Sequence, residues 1–451
     1  MSRIYLVLLL TLLSVTIAAE FEHIGLSGYM IRELRLYDNY LYAATDNGIY
    51  SKNINEQDTL WTHLGLEDQL ILSLAVINHN SIVAGCTNNF GSSAESPVYR
   101  TDDGGDNWYC YSAGIEYDSL FQTFSLDTHP GLPGVVLSTD ASSVSRITDD
   151  DPVWELLWGQ WNSIGYGVHF IRFHPENPDI IWGGGESGMH AAFLLRSYDG
   201  GNTWDETILW YLVGGDNACH IIAFDPHDGQ IIYAGMEGRI IKTSDGGDNW
   251  SVILDGAADE EIPWFDVWGL AVSEHDNQIV YSSCFQRNIY EELLLFISED
   301  GGETWAEVNG GMGRRGTLSF AYRSIDKGDE IYLGTTGDGV FRFTNGIGEV
   351  SLEETSLPAY ESITLENYPN PLNDRTIIKF SIPDKSAVSI SLYSVRGERI
   401  ATLLSGSFVE GEYAIYWDGK DTQGNTLPSG IYFALLQTEE SKRVNKMLLL
   451  K

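Results

Sequence analysis

Four stretches of this chain are near-copies of one another: "TDDGGDNW" at Thr101, "SYDGGNTW" at Ser197, "TSDGGDNW" at Thr243 and "SEDGGETW" at Ser298. A polar turn with paired glycines and a tryptophan at a fixed offset, built again and again, restricts the chain to repeat architectures. The opening Thr or Ser residues are spaced 96, 46 and 55 apart. The first gap is double, so a further copy belongs near residue 148, where "ITDDDPVW" carries Thr148, Asp150 and Trp154. One period earlier a polar turn ends in Trp61, and one period after Ser298 "GTTGDGVFRF" supplies a strand without the tryptophan. Seven units of about 45–50 residues result.

Each unit reads alike. Two β-rich runs flank a turn of Asp, His, Pro, Asn and Gly, as in "HFIRFHPENPDIIWGGG" and "HIIAFDPHDGQIIYAGM". A third strand, the Asp-Gly-Gly turn and a fourth strand opening at the tryptophan follow. Four short antiparallel strands per repeat predict a β-propeller blade, and seven blades a closed ring over residues 20–346 with few open edges. The strand near Gly25 is expected to complete the last blade. His129, His174 and His227 fall on corresponding inner turns of successive blades, so they read as turn residues and not as metal ligands.

The first nineteen residues, with Arg3, an apolar run from Ile4 to Val15 and Ala18–Ala19, read as a cleaved secretory signal. No transmembrane segment is expected in the mature chain. The formal net charge is −38, yet Glu366–Lys451 holds ten basic against ten acidic residues, so the excess acid precedes Glu366. Such a field excludes nucleic acid as a partner. Cys86, Cys110, Cys219 and Cys284 match no metal or disulfide pattern, and neither a cofactor nor a metal is expected.

The period stops after Phe343. Residues 347–365 read as an acidic, Ser-rich linker. Residues 366–451 alternate cleanly, with Ile378, Phe380 and Ile382 on one face, then Val388, Ile390 and Leu392. Tyr413, Ile415 and Trp417, answered by Ile431, Phe433 and Leu435, are expected to form a hairpin. About seven strands in so short a span predict an Ig-like β-sandwich. The fold class is therefore all-β: a seven-bladed propeller followed by an Ig-like sandwich.

Two family resemblances follow from these residues. The turn motif, Ser/Thr-x-Asp-x-Gly-x-x-Trp, resembles the Asp-box (BNR-like repeat) of sialidase-like and sortilin-like propellers, matched at Asp103/Trp108, Asp199/Trp204, Asp245/Trp250 and Asp300/Trp305. Its aspartate can accept hydrogen bonds from its own hairpin, so the motif implies a fold and not a chemistry. "YPNPLN" at Tyr368, "GEY" at Gly411, "WDGKDTQGNTLPSGIYF" at Trp417 and the terminal "KMLLLK" resemble the type A C-terminal sorting domain of the bacterial type IX secretion system. Leu372 stands where that family usually has Phe, and flagellar hook-capping proteins share the Trp-Asp-Gly pattern. The resemblance implies type IX machinery as a partner, and a secreted or outer-membrane-surface location.

No nucleophile elbow, zinc-protease helix or phosphate loop occurs. The Arg-Ile-Pro tripeptide of sialidases is missing, and Arg35, Arg172 and Arg323 recur at one place on inner strands, as repeat positions do. Xyloglucan-cleaving endoglucanases also use Asp-boxes, but with a cleft between two propellers, and one is read here. The blade-to-blade crossings are unusual in carrying Trp158, Trp161, Tyr166, Trp210, Tyr211, Trp264 and Trp268, with Glu260, Glu261 and Asp266 among them, and Glu186 and Glu237 on the same rim. Aromatic faces beside carboxylates suit pyranose rings. Trp161, Trp210, Tyr211, Glu260, Trp264, Asp266 and Trp268 are the candidate ligand-binding set. Three readings stand: a non-catalytic module for an extracellular glycan or protein ligand, a glycoside hydrolase or lyase, and an adhesive scaffold whose tryptophans wedge between blades.

Overall fold

A computed structural model describes residues 21–346 and 363–450, apart from 57–59, 89–93, 117–120, 141, 161–165, 189, 214–216, 256–264, 286–293 and 309–315. In the C-terminal part 369, 371, 373–375, 383–385, 398, 409–410, 418, 422–425 and 439–440 are also left aside. The chain divides into two compact units, Met1–Gly348 and Glu349–Lys451.

The first unit is a seven-bladed propeller of four-stranded antiparallel sheets. The innermost strands are Ile31–Tyr37, Leu70–Val76, Ser125–Thr128, Tyr166–Phe173, Cys219–Phe224, Asp266–Val272 and Thr317–Ile325, numbered here as blades one to seven. Each packs on the next, and blade seven packs on blade one. The N-terminal strand Phe21–Gly25 pairs with Val340–Gly346 as the outer strand of blade seven, so the first and last strands close the ring. Close approach between blades depends on a glycine in the second strand. A Cβ on Gly235 would lie 2.4 Å from Val267 of the next blade, and one on Gly334 2.6 Å from Ile31.

The Asp-Gly-Gly turns are self-contained. Asp245 Oδ1 accepts the Thr243 hydroxyl (2.8 Å) and the Asn249 backbone N–H (2.9 Å), while Oδ2 accepts Asn249 Nδ2 (2.8 Å). Asp103, Asp199 and Asp300 repeat this with Asn107, Thr203 and Thr304. Both glycines of the turn take left-handed backbone, φ +69° and +96° at Gly246 and Gly247. Hydrogen bonding from Asn249 and Thr304 holds the Asp245 and Asp300 carboxyls down at about 2. Trp204, Trp250 and Trp305 donate to the second glycine of their own turns, at 2.9, 3.1 and 3.1 Å. Trp61, Trp108 and Trp154 instead donate to the preceding blade, at Ile24 (2.8 Å), Leu64 (2.7 Å) and Tyr111 (2.6 Å). The turn histidines also link blades, since His129 Nε2 meets the Pro175 carbonyl at 2.9 Å.

The second unit is an Ig-like sandwich. One sheet holds Thr364–Tyr368, Thr376–Ile382 and Gly411–Trp417; the other holds Arg399–Phe408, Ser386–Ser394, Gly430–Gln437 and Lys442–Leu449. Ile378, Phe380, Ile382, Val388, Ile390 and Leu392 are buried, as their alternation predicts. The expected hairpin is corrected. Gly411–Trp417 pairs with Thr376–Ile382, whereas Gly430–Gln437 pairs with Ser386–Ser394 in the opposite sheet. The face is corrected as well: Tyr432, Ala434 and Leu436 point into the core, and Ile431, Phe433 and Leu435 do not. With apolar residues on both faces the strand has no readable phase, and the two strands lie in different sheets. Trp417 and Tyr432 therefore meet edge to face at 5.7 Å.

Candidate functional site

The innermost strands begin at the rim of the crossings and run toward the rim of the Asp-Gly-Gly turns. Near their start, in six of the seven blades, pairing with the second strand slips by one residue. The residues passed over are Arg32, Leu72, His169, His220, Trp268 and Leu318. A β-bulge re-aims a side chain, and all six, with Phe124 of blade three, line one cavity of about 520 Å³ down the axis of the ring.

Four members of this ring form a continuous arc. Phe124 meets His169 at 5.9 Å, and His169 and His220 stack at 5.3 Å with their planes 4° apart. His220 stacks on Trp268 at 4.2 Å and 19°. The arc spans blades three to six, and the guanidinium of Arg32 comes from blade one. Burial holds His169 well below the usual imidazole range, at about 4, and lowers Arg32. The Nε1 of Trp268 is buried with no hydrogen-bond partner among the described residues.

Farther down, four charges bridge the channel. Arg35 pairs with Glu33 (2.8 Å) and Asp127 (3.5 Å), and donates to the Leu74 and Leu126 carbonyls of blades two and three. Arg172 of blade four reaches Glu33 of blade one at 3.6 Å and donates to Ser125 at 2.8 Å. Burial raises the Glu33 carboxyl against the pull of both arginines, and lowers Arg172 to about 10. Two positive and two negative groups neutralise one another, so this is a plug across the channel and not an anion site. Arg323 pairs with Glu330 in blade seven (2.6 Å).

The expected rim residues fall in three places. Trp161, Glu260 and Trp264 lie outside the described residues, and so does the side chain of Trp210, which opens the helical turn Trp210–Val213. Tyr211 on that turn is 71% exposed. Trp268 stands half-buried in the arc, and Asp266 beside it is only 2% exposed. Trp158 packs on Phe193 between blades three and four (6.1 Å). Glu186 accepts from His190 at 2.6 Å on the same rim. Sequence reading passed over Arg32, Phe124, His169 and His220. Their signal was a broken two-residue alternation at the start of each inner strand, visible only once register is known.

Fold and mouth together define a β-propeller with a plugged axial cavity, followed by an Ig-like module. Residues 373–441 match the FlgD Ig-like domain. Among curated proteins, the chain is similar to a xyloglucanase of Paenibacillus sp (26% identical over 233 residues, 46% of this chain and 22% of the enzyme) and to the xyloglucanase Xgh74A of Acetivibrio thermocellus (31% over 174 residues, 32% and 20%). The chain spans about a fifth of the length of these relatives. Among solved structures it is similar to the GH74 xyloglucanase of Xanthomonas campestris (TM-score 0.54, 14% identity, covering 95% of this chain and 75% of that one). The GH74 enzyme of Niastella koreensis gives a TM-score of 0.53 at 16% identity, with 94% and 73% covered. At such identities the likeness speaks for the fold alone.

Proposed function

We propose that this chain is an extracellular propeller that binds the end of a glycan in the mouth of its axial cavity without cleaving it. The observation that carries the reading is the arc Phe124–His169–His220–Trp268, flat apolar faces lining a cavity large enough for a sugar ring. Arg32 offers hydroxyl-directed donors from the far wall. The four Asp-Gly-Gly turns act as Asp-boxes that spend their carboxylates on their own hairpins. The N-terminal apolar run and the C-terminal module act as export signals, the latter for the type IX machinery, which would leave the protein secreted or on the outer-membrane surface.

A glycan array probed with the purified chain, followed by titration of the best ligand, tests the binding reading. Trp268→Ala removes a stacking face, which typically costs about 1–3 kcal/mol at an interface hot spot, or roughly tenfold to a hundredfold in affinity. Unchanged affinity in that variant, or binding to proteins only, overturns the glycan reading. Deleting Tyr368–Lys451 in a type IX-competent host is expected to strand the propeller in the periplasm; normal surface delivery refutes the sorting role.

A second reading is glycoside hydrolysis, favoured by the names of the relatives and by the closeness of the Glu237 and Asp266 carboxylates, which lie within 4.8 Å. Retaining glycosidases hold their pair about 5–5.5 Å apart. Against it, Asp266 is 2% exposed and the Glu237 side chain 12%, so little of either carboxylate faces the cavity. Release of oligosaccharides from xyloglucan by the purified chain, lost in Glu237→Gln, would establish the enzyme reading instead.

A further inference from the structure

Arg32 is the exception among the arginines of the propeller. Nine arginines fall among its described residues, and eight of them form an ion pair with a carboxylate. Arg32 forms none among the described residues, and its Nε is buried there without a hydrogen-bond partner. Asp46 acts on it through space alone, while the Asp46 Oδ1 accepts the Met30 N–H at 3.1 Å. A desolvated cation without a partner is costly. A guanidinium cannot escape that cost by losing its proton. An anion from outside the chain satisfies it.

The side chain also stands where a ligand would meet it. Arg32 is the residue skipped between Ile31 and Glu33 in the pairing with the second strand, and it lines the axial cavity. Blade one faces blades four and five across a ring of seven, and those blades carry His169 and His220. Glu33, the next residue, reaches Arg172 of blade four at 3.6 Å, so side chains of facing blades span the channel one position farther down. The plug there is neutral, its two arginines taken by Glu33 and Asp127. Glu274, the other carboxylate of the lining, follows the far end of the blade-six inner strand. His169 is uncharged at neutral pH. Arg32 is thus an uncompensated positive charge at the mouth, across from the aromatic arc.

We infer that the sugar held in this mouth is an acidic one, a uronate whose carboxylate docks on the Arg32 guanidinium. The inference rests on the glycan reading and adds to it the charge of the ligand. A planar guanidinium fork pairs with a carboxylate in bidentate fashion. Charge balance points the same way. One guanidinium neutralises one carboxylate, whereas a phosphate monoester brings about −1.5 to −2 at neutral pH. The surplus would stand near Asp46 and near the Glu237 and Asp266 carboxylates beside His220. A cavity of about 520 Å³ has room for such a ring.

The test is calorimetric titration of the full chain with oligosaccharides ending in glucuronate, galacturonate or mannuronate, each paired with its methyl ester. At about 0.15 M salt the field of the other charges is screened beyond about 8 Å. At least one acid is expected to bind about tenfold or more tightly than its ester, the gain from hydrogen bonds between charged groups. Arg32→Gln should bring the ratio of acid to ester close to one, and Arg32→Lys should restore part of it. Without ligand, Arg32→Gln should melt no lower than the parent, because no ion pair is lost. Arg172→Gln, which strips Glu33 of a partner, should melt lower. Acid and ester bound alike, a ratio unaltered in Arg32→Gln, or a clear drop in its melting temperature overturns the acidic-sugar inference and leaves the glycan reading standing. A sugar 6-phosphate bound more tightly than every uronate overturns the choice of carboxylate. Binding of none of these oligosaccharides overturns the inference too, and neutral glycans then decide the glycan reading by themselves.

Discussion

Replacing Gly235 by alanine probes what lets seven blades close around so narrow a channel. A methyl there would lie 2.4 Å from Val267 Cγ1, 2.7 Å from Ile221 Cγ2 and 2.9 Å from Val267 Cβ. Neither valine nor isoleucine can swing away as a flexible tail would, because Val267 and its strand partner Cys284 are fully buried. Overpacking of this kind costs about 1–3 kcal/mol. Alanine also restrains the unfolded chain, which returns about 0.4–1 kcal/mol. The steric cost wins, and a net loss of about 1–2 kcal/mol follows, a few degrees in melting temperature for a domain of this size. Gly346, exposed at the end of its strand, is the control: the nearest atom to a methyl is the Lys327 carbonyl oxygen, 3.8 Å away. There only the entropic gain remains, so Gly346→Ala should stabilise. Thermal unfolding of both variants, read by circular dichroism, gives opposite signs if the reasoning holds. A Gly235→Ala protein as stable as its parent would refute glycine-mediated blade contact.

The half-buried, desolvated His169 makes stability depend on pH. The unfolded chain takes up this proton below about 6.5 and the folded chain only below about 4, so stability is complete above 6.5 and falls by about 3 kcal/mol in total as pH drops to 4. His169→Phe should flatten that limb of a denaturant series, and an unchanged limb would sink the assignment. The Asp245 and Asp300 turns act at lower pH: their depressed carboxyls contribute stability above about 3.8 that is lost as pH falls through about 2. Asp245→Ala should lower the melting temperature and leave ligand affinity unchanged; loss of affinity at an unchanged melting temperature would give that carboxylate a functional role. Trp154→Ala, which empties a site 2% exposed and strands the Tyr111 carbonyl, should cost about 3–5 kcal/mol in chemical denaturation.

Much of the architecture was legible in one dimension. The period of the Asp-Gly-Gly turns set the number of blades, because each turn is closed by hydrogen bonds that span no more than four positions: Thr243, Asp245, Gly247 and Asn249 need nothing beyond their own hairpin. Local hydrogen bonding leaves a local signature. The phase of Gly430–Gln437 was not legible, since Tyr432 and Phe433 put a large aromatic ring on each face and the buried one is set by the facing Trp417. The mouth was beyond reach for a related reason. Arg32, His169, His220 and Trp268 enter the channel because each is the residue skipped in a pairing with a second strand eight or more positions away. A bulge belongs to a pair of strands, and this set of bulges to six such pairs in a ring of seven blades closed on itself. Composition and spacing specify each strand and each turn separately; only ring closure places those side chains at one level around one axis.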